Sequence, residues 1–483
     1  MDPVAELSRE VEQTAAELAG DGKLSRPKLD RPKQAGFGDY SSNAAMLLAP
    51  TLDEPPRDIA TRLGDALGER LGQSVDRVEI AGPGFLNLFM TDRWYLEVLA
   101  AMLAAGERFG RGDQGERIQV EFVSANPTGP VTVASARHAA YGDSLSRVLE
   151  LAGNQVEREY YVNDAGSQVH KFGEAIQARA RGEEPEEYGA DYVRELAEQI
   201  PGAADADPDE LARRGIELLL EGVERTLARF RVHMDRYFRE SSLQESGRLD
   251  EVLAEIDGKY ESEGALWLRT TDDGDDKDRV LRRSSGELTY FATDIGHHAD
   301  KLALGYDRWI NVLGSDHHGY VKRIYVAWRL LGGDPEAYEV VIMQFVNLLE
   351  GGEPVQMSKR AGAIVTLDDL IDDIGVDAAR WFLLSRSHDT RIDLDLELAR
   401  RASQDNPVYY VQYAHARIAS ILRKAGDERV ESALRADLRA SAERLHPSAR
   451  ALIKRLLELP EAVRDAADRR APHRISAYAT EAA

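Results

Sequence analysis

The chain has 483 residues, and 61 basic against 85 acidic side chains leave a formal net charge of −24. At roughly 100–200 residues per domain this length holds several domains, and 43% apolar with 30% charged residues is an ordinary globular composition. The absence of cysteine excludes disulfides, thiolate zinc sites, iron–sulfur clusters and cysteine nucleophiles together and fits a reducing cytoplasm, while the acidic balance argues against a general nucleic-acid coat but leaves room for a local basic groove.

The first twenty residues carry helical spacing through Val4, Leu7, Val11, Ala15 and Leu18, without the basic start and apolar run of a signal peptide. No stretch approaches the roughly 18 apolar residues of a membrane span, so no membrane partner is expected. A polar segment from Lys23 to Lys33 leads to the turn Phe37-Gly38-Asp39-Tyr40. Asn43 to Leu71 reads as helix broken at Pro55-Pro56, and Val78–Ile80 and Phe85–Phe89 read as strands around Ala81-Gly82-Pro83-Gly84. These elements predict a small α+β domain over residues 1–110.

Arg117 to Val123 is a strong strand, Asn126 to Pro130 a loop, Ala136 to Leu151 a helix and Val156 to Val162 a second strand. That order is a βαβ unit. Charge-rich helical sequence over about residues 170–260 reads as an insertion, after which strands resume at Gly264–Leu268, Arg279–Leu281, Trp309–Leu313 and Glu339–Met343. Helices such as Val321–Leu331 alternate with them. The pattern predicts one parallel sheet, split by the insertion, in an α/β domain over residues 111–384. From about residue 385 the sequence reads as helical to its end, with Asp405-Asn406-Pro407 as a boundary, which predicts an all-α bundle over residues 385–483.

Gly110-Arg111-Gly112-Asp113-Gln114-Gly115 has the glycine spacing of a dinucleotide turn, but that motif must follow a strand and open a helix. Here helical sequence precedes it and a strand follows, so it reads as a linker. Ser124-Ala125-Asn126-Pro127-Thr128-Gly129-Pro130 ends the first sheet strand, at the edge where open α/β sheets bind ligands. The helix after it offers free N–H groups to an anion. Read alone, the segment is also a plain Pro/Gly turn. Gln356-Met357-Ser358-Lys359-Arg360-Ala361-Gly362 sets a hydroxyl and two cations beside a glycine, a composition suited to a lid over polyphosphate, although a basic turn is also ordinary surface. His297-His298 and His317-His318 invite a metal reading. Adjacent residues on a strand face opposite ways, so a polar loop touching a nucleotide is the preferred reading of Gly314-Ser315-Asp316-His317-His318-Gly319.

Taken together these segments resemble arginyl-tRNA synthetase, a class I aminoacyl-tRNA synthetase, over nearly the whole chain. The resemblance is carried by Phe37 to Asn43, Ala81 to Asn87, Ser124 to Pro130, Tyr160 to Gln168, Tyr290 to Ile295 and Gly314 to Tyr320. Gln356 to Arg360 is similar to the family's KMSKR loop with its first lysine replaced, and Asp405 to Arg417 to the start of its anticodon-binding domain. The resemblance implies a Rossmann-like catalytic domain with a helical insertion, preceded by an α+β tRNA-contacting domain and followed by a helical anticodon-binding domain. It implies a cytoplasmic, monomeric enzyme that joins arginine to ATP as arginyl-AMP, with Mg2+ accompanying ATP, and then transfers the arginyl group to tRNA(Arg). In this family tRNA is needed for the first step.

By matching positions, Lys359 would meet the phosphates in the transition state, with Ser358 and Arg360 shaping the catalytic loop and Met357 contacting ATP. Ser124 and Asn126 would hold the amino-acid end of arginine, and Tyr290 and Asp294 its guanidinium. Pro130, Thr132, Ser135, Gly314, Asp316 and His317 would surround ATP. Phe37, Tyr40, Asn43, Tyr409, Tyr413 and Arg417 would contact tRNA.

One segment departs from the family pattern. A His-x-Gly-His signature is expected just after Pro130, and Thr132, Ala134 and Ser135 stand at its first histidine, glycine and second histidine. Hydroxyls donate hydrogen bonds but carry no charge, and losing one charge-stabilising donor costs about 10²–10³ in rate. His138, one turn beyond Ser135, is a candidate substitute. The readings are therefore an active arginine–tRNA ligase with a variant ATP signature, an impaired paralogue that binds tRNA or arginine, and a metal-dependent phosphoesterase on Asp316-His317-His318. The last residues, Pro472 to Ala483, resemble a helix start inside the family's anticodon-binding domain, which implies an incomplete bundle.

Overall fold

The computed structural model describes residues 2–20, 22, 25–32, 34, 36–355, 365–438 and 444–483. They fall into two compact units. The first comprises Met1–Gly112, Ala414–Arg464 and Glu481–Ala483. Its helix Pro3–Ala19 starts at Asp2, whose carboxylate accepts from the N–H groups of Val4 and Ala5, and buries Leu7, Val11 and Ala15. Helices Ala44–Leu52 and Pro56–Leu71 divide at the two prolines, since the residue before a proline is pushed out of helical geometry. Strands Leu29–Asp30, Tyr40–Ser42, Phe85–Met90 and Val75–Ala81 pair antiparallel in that order.

The turn Phe37-Gly38-Asp39-Tyr40 is a joint in this unit. Gly38 has φ 83°, and a Cβ there would lie 2.7 Å from the Leu88 carbonyl oxygen, so only glycine fits. Asp39 accepts from the Met90 N–H at 2.7 Å and from Arg450 at 2.8 Å, and it also pairs with Lys454. Burial opposes its ionisation, but the Lys454 and Met90 hydrogen bonds outweigh that and hold its carboxyl below the usual range. Tyr40, 2% exposed, packs edge-on to Trp94 in the core. Ile453 and Leu457 join the same core.

The second unit, Asp113–Tyr413 with Asp465–Thr480, is built on a five-stranded parallel sheet. Its strands are β1 (Arg117–Glu121), β2 (Gln155–Val162), β3 (Arg236–Arg239), β4 (Arg308–Gly314) and β5 (Tyr338–Met343), in the spatial order 5-4-1-2-3. Helices α1 (Val133–Leu151), α2 (Tyr290–Ala303) and α3 (Val321–Leu330) follow their strands or connections. The order reverses between β1 and β4, the switch point where sheets of this kind open a crevice beyond the strand ends. A helix sits close behind β1: a Cβ on Gly142 of α1 would fall 2.1 Å from the Phe122 ring.

Four sequence expectations are corrected here. The insertion is mostly helical, with helices Ser167–Ala180, Asp191–Gln199 and Pro208–Arg229, but it also supplies β3, the edge strand of the sheet. Ala265–Leu268 and Arg279–Arg282 do not belong to the parallel sheet; with Lys259–Ser262 they form a separate antiparallel one. A two-residue turn at Glu263-Gly264 permits only antiparallel pairing, because parallel strands need a crossover of a dozen or more residues. The His297-His298 pair, weighed above as strand neighbours, lies on helix α2, as does Asp294. Ile392–Asp395, read as helical, is a strand paired parallel with Val346–Glu350. Among the described residues no helix is long and apolar enough to cross a membrane.

Candidate active site

A cleft of about 1160 Å³ opens at the C-terminal ends of β1, β2, β4 and β5. Ser124, Asn126, Pro130, Thr132, Ser135, Tyr290, Asp294, Gly314, Asp316 and His317 all line it. The tertiary structure thus gathers every expected arginine and ATP residue that it describes. Gln356, Met357, Ser358, Lys359 and Arg360 lie outside the described residues.

The backbone turns sharply where β1 enters the cleft. Val123 and Ser124 have φ of 70° and 38°, and the Ser124 N–H bonds the Phe122 carbonyl at 3.0 Å. Such turns are strained for a β-branched residue and recur at functional sites. The strain aims Ser124 Oγ at Glu121, to which it donates at 3.2 Å, while it accepts from the Tyr161 N–H at 3.1 Å.

One end of the cleft is acidic. Glu121, Glu240 and Asp294 come from three separate elements and face the same space. Tyr161 donates its hydroxyl to Glu240 at 2.8 Å, and Tyr320 donates to Asp294. Burial pushes the Glu240 carboxyl up to about 7, against the Tyr161 hydrogen bond. Burial likewise pushes Asp294 up to about 6, against the Tyr320 hydrogen bond. Among the described residues neither carboxyl has an ion-pair partner. A cation placed between them would relieve both. Tyr290 stands one turn before Asp294 on α2, and it is exposed toward the cleft.

Beneath this end lies a closed charge network. Glu121, Glu159 and His297 are the group of metal-ligand type among the described residues. Lys301 Nζ already sits 2.6 Å from Glu159 and 3.0 Å from Glu121, and Arg236 sits 2.5 Å from Glu159. Burial opposes ionisation of Glu159, but the Lys301 charge and the His297 hydrogen bond outweigh it and hold the carboxyl well below its usual range. The cations that a metal would replace are built in, so these residues do not fit a resident ion. His298 is also satisfied. Its Nδ1 donates to the Asp294 carbonyl at 2.6 Å, its Nε2 accepts from the Tyr338 hydroxyl at 3.1 Å, and burial lowers it to about 3.

The other end of the cleft holds the variant signature. Thr132 is the N-cap of α1, its Oγ1 accepting from the Ser135 N–H at 3.4 Å. Thr132 also bridges Thr366, with the Val133 N–H on the Val365 carbonyl and the Leu367 N–H on the Val131 carbonyl at 3.3 and 2.8 Å. The first described residues after the basic loop are therefore tied beside the signature. Arg137, buried in α1, donates to the carbonyls of Gln344, Ser387 and Thr390 at 2.5, 3.0 and 2.8 Å and so fixes the cleft wall after β5. Because Thr132 caps the helix, Thr132→His should lower stability by about 1 kcal/mol, read as a reduced urea midpoint at constant slope.

The expected tRNA residues differ in exposure. Phe37 is exposed, Tyr40 is buried and Asn43 accepts the Lys28 N–H at 2.8 Å. Burial of its ring leaves Tyr40 serving the core, which removes it as a surface contact. Tyr409 and Tyr413 form an exposed stacked pair with centroids 6.3 Å apart on helix Pro407–Ala425, and Arg417 is exposed on the same helix. Sequence reasoning passed over Glu121, Glu240 and Tyr320. Glu121 had a signal, since Gln119 and Glu121 are polar at a spacing of two on a strand buried on both faces.

Comparison with known proteins gives three family matches. The family described as arginyl tRNA synthetase N terminal domain matches residues 5–90. The tRNA synthetases class I (R) catalytic domain matches residues 182–398, and the DALR anticodon binding domain residues 411–483. The chain is 42% identical to the arginine–tRNA ligase of Oceanobacillus iheyensis over 97% of its own length and 87% of that protein's. It is 44% identical to that of Geobacillus thermodenitrificans, over 99% and 89%. The solved Thermus thermophilus arginyl-tRNA synthetase shares its fold, with a TM-score of 0.73 at 23% identity, covering 99% of this chain and 90% of that one. The motifs, the switch-point cleft and these relatives agree: the chain belongs to the arginine–tRNA ligase family, among the class I aminoacyl-tRNA synthetases.

Proposed function

We propose that this chain activates arginine with ATP to arginyl-AMP and transfers the arginyl group to tRNA(Arg). The observation that carries the arginine assignment is the pair of carboxyls, Glu240 and Asp294, that face the cleft without an ion-pair partner among the described residues. A guanidinium is planar and presents paired donors, which suit two carboxylates better than a point charge does. In this reading Asp294 and Tyr290 hold the guanidinium, and Ser124 and Asn126 the amino-acid end. The arginine carboxylate then points toward α1 and attacks the α-phosphorus of ATP, with pyrophosphate leaving.

ATP lies along the other end. The positive end of α1 faces its phosphates, with the Ala134 N–H, the one left unbonded in the first turn among the described residues, and the hydroxyls of Thr132 and Ser135 as donors. Pro130 and the Gly314–His317 loop flank the nucleotide. Lys359, with Met357, Ser358 and Arg360 beside it in the sequence, supplies positive charge for the transition state. Mg2+ arrives with ATP as part of the substrate. Phe37, Asn43, Tyr409, Tyr413 and Arg417 contact tRNA, the tyrosine pair offering a surface on which a base can stack. The functional division is an N-terminal tRNA-contacting domain to residue 110, a catalytic domain over 111–384 and an anticodon-binding domain over 385–483. The chain works in the cytoplasm as a monomer, which sedimentation would check.

The deciding experiment is arginine-dependent ATP–pyrophosphate exchange with tRNA present. Exchange that needs both arginine and tRNA supports the ligase. Its absence, with tRNA or arginine still bound, supports the impaired paralogue, a reading favoured by the uncharged Thr132 and Ser135. In the active case Lys359→Ala should lower kcat and leave the KM for ATP nearly unchanged.

A further inference from the structure

His138 is a cleft-lining histidine that the proposed function leaves without a role. It sits on α1 in the wall of the cleft, one turn beyond Ser135. Its ring lies beside the Gly314–His317 loop: a Cβ built on Gly314 would be 3.7 Å from His138 Cε1. Among the described residues its nitrogens have no hydrogen-bond partner. Its contrast is with His298, buried nearby, whose two nitrogens are both bonded. His138 is half-buried and its nitrogens are not sealed from solvent, so a ligand entering the cleft meets a ring whose hydrogen bonds the described residues have not taken.

Its neighbours indicate which part of a nucleotide meets it. The start of α1, on one side, attracts the polyphosphate. The Gly314–His317 loop, on the other, flanks the nucleoside. The group at the junction of the two is the α-phosphate, where the arginine carboxylate attacks. We propose that His138 is a further substrate-contacting residue of the activation step, donating a ring N–H hydrogen bond to an α-phosphate oxygen as charge builds there. This assignment rests on the ligase reading above.

Burial, aided by the Arg137 charge, lowers His138 to about 4, against the pull of Asp316. At neutral pH the ring thus carries one N–H donor and no charge. A neutral donor is worth less than a charged one, so its loss costs about tenfold in rate, not the 10²–10³ of a charge-stabilising donor.

The test uses the full chain with His138→Ala and His138→Gln, the second keeping an N–H donor. Exchange is measured with arginine, ATP, magnesium and tRNA. Equilibrium binding is measured with arginyl-sulfamoyl adenosine, whose sulfonyl oxygens stand where the α-phosphate oxygens of the adenylate would. For His138→Ala the expected result is a kcat about tenfold lower, with the KM for arginine within twofold and an unchanged unfolding midpoint. The analogue should bind about tenfold more weakly, and His138→Gln should recover most of both losses. A kcat and an analogue affinity within twofold of wild type overturn the assignment. So does a loss that the glutamine variant does not recover. If the wild-type chain shows no exchange but binds the analogue, the ligase reading fails, and the analogue affinities alone decide for or against His138. If it does neither, both fail together.

Discussion

Asp294→Asn should raise the KM for arginine about 10²-fold and leave the KM for ATP within threefold. The variant keeps the size and the Tyr320 contact but loses the charge facing the guanidinium, and a hydrogen bond to a charged group is worth about 1.5–3 kcal/mol. At 1.4 kcal/mol per tenfold, that range brackets the stated effect. The fold itself should not suffer. Thr289 caps α2, so Asp294 is not needed to start the helix. Moreover, an acid whose folded-state pKa is raised loses stability as pH climbs from its unfolded value, 3.8, to about 6. Removing that carboxylate should therefore leave the unfolding midpoint at pH 7 equal or higher. The same shift sets a pH dependence. In the free protein Asp294 is half-protonated near 6, and bound guanidinium favours the ionised form. Arginine affinity should thus fall as pH drops below about 6, because binding must then release a proton, and Glu240 near 7 extends the fall upward. An unchanged KM for arginine in Asp294→Asn would overturn the assignment.

Lys301→Met should destabilise the protein by about 3–5 kcal/mol, the range for breaking a buried ion pair by removing one partner. The variant leaves Glu159 and Glu121 buried beside Arg236 and His297 with one cation fewer. The sign with pH separates this from a simple packing loss. Glu159 has its carboxyl held below the ordinary 4.5, so it contributes stability above that value, which is lost as pH falls through the lowered one. Without Lys301 the carboxyl rises, and protonating it relieves the variant. The deficit measured by urea unfolding should therefore be larger at pH 8 than at pH 5. A deficit below about 1 kcal/mol, or one independent of pH, would show that Lys301 matters less than its geometry implies.

The network also shows how His297 and His298, whose residue type invites a metal reading, are used instead. On a strand, neighbours face opposite ways, and in a helix they are separated by about 100°. Placed on α2, His297 turns to Glu159 and His298 to Tyr338, and neither is left for a metal. The sequence carried the helical spacing around them but not the identity of the strands they would meet.

Local pattern determined much of this protein. The strand Arg117–Glu121, the loop after it, the helix from Val133 and the strand to Val162 were all legible, because their periodicities and turn residues are set by neighbours in the chain. The motifs at Ser124 to Pro130, Tyr290 to Asp294 and Gly314 to His317 likewise identified the family and the residues of its cleft. What needed the tertiary structure were matters of long-range partnership. Parallel pairing is not written in a strand's own sequence, so β3 within the insertion could be told from a helix connector only by its register on β2. The acidic end is assembled from Glu121, Glu240 and Asp294, far apart in the chain, and each carboxyl is unremarkable alone. Burial of Tyr40 and the unbonded ring of His138 depend on what packs around them. Sequence alone settled which local elements form and which family they belong to; the tertiary structure settled which side chains are left facing the cleft with their charge or hydrogen bond unspent, because burial and partnership are properties of the packed chain.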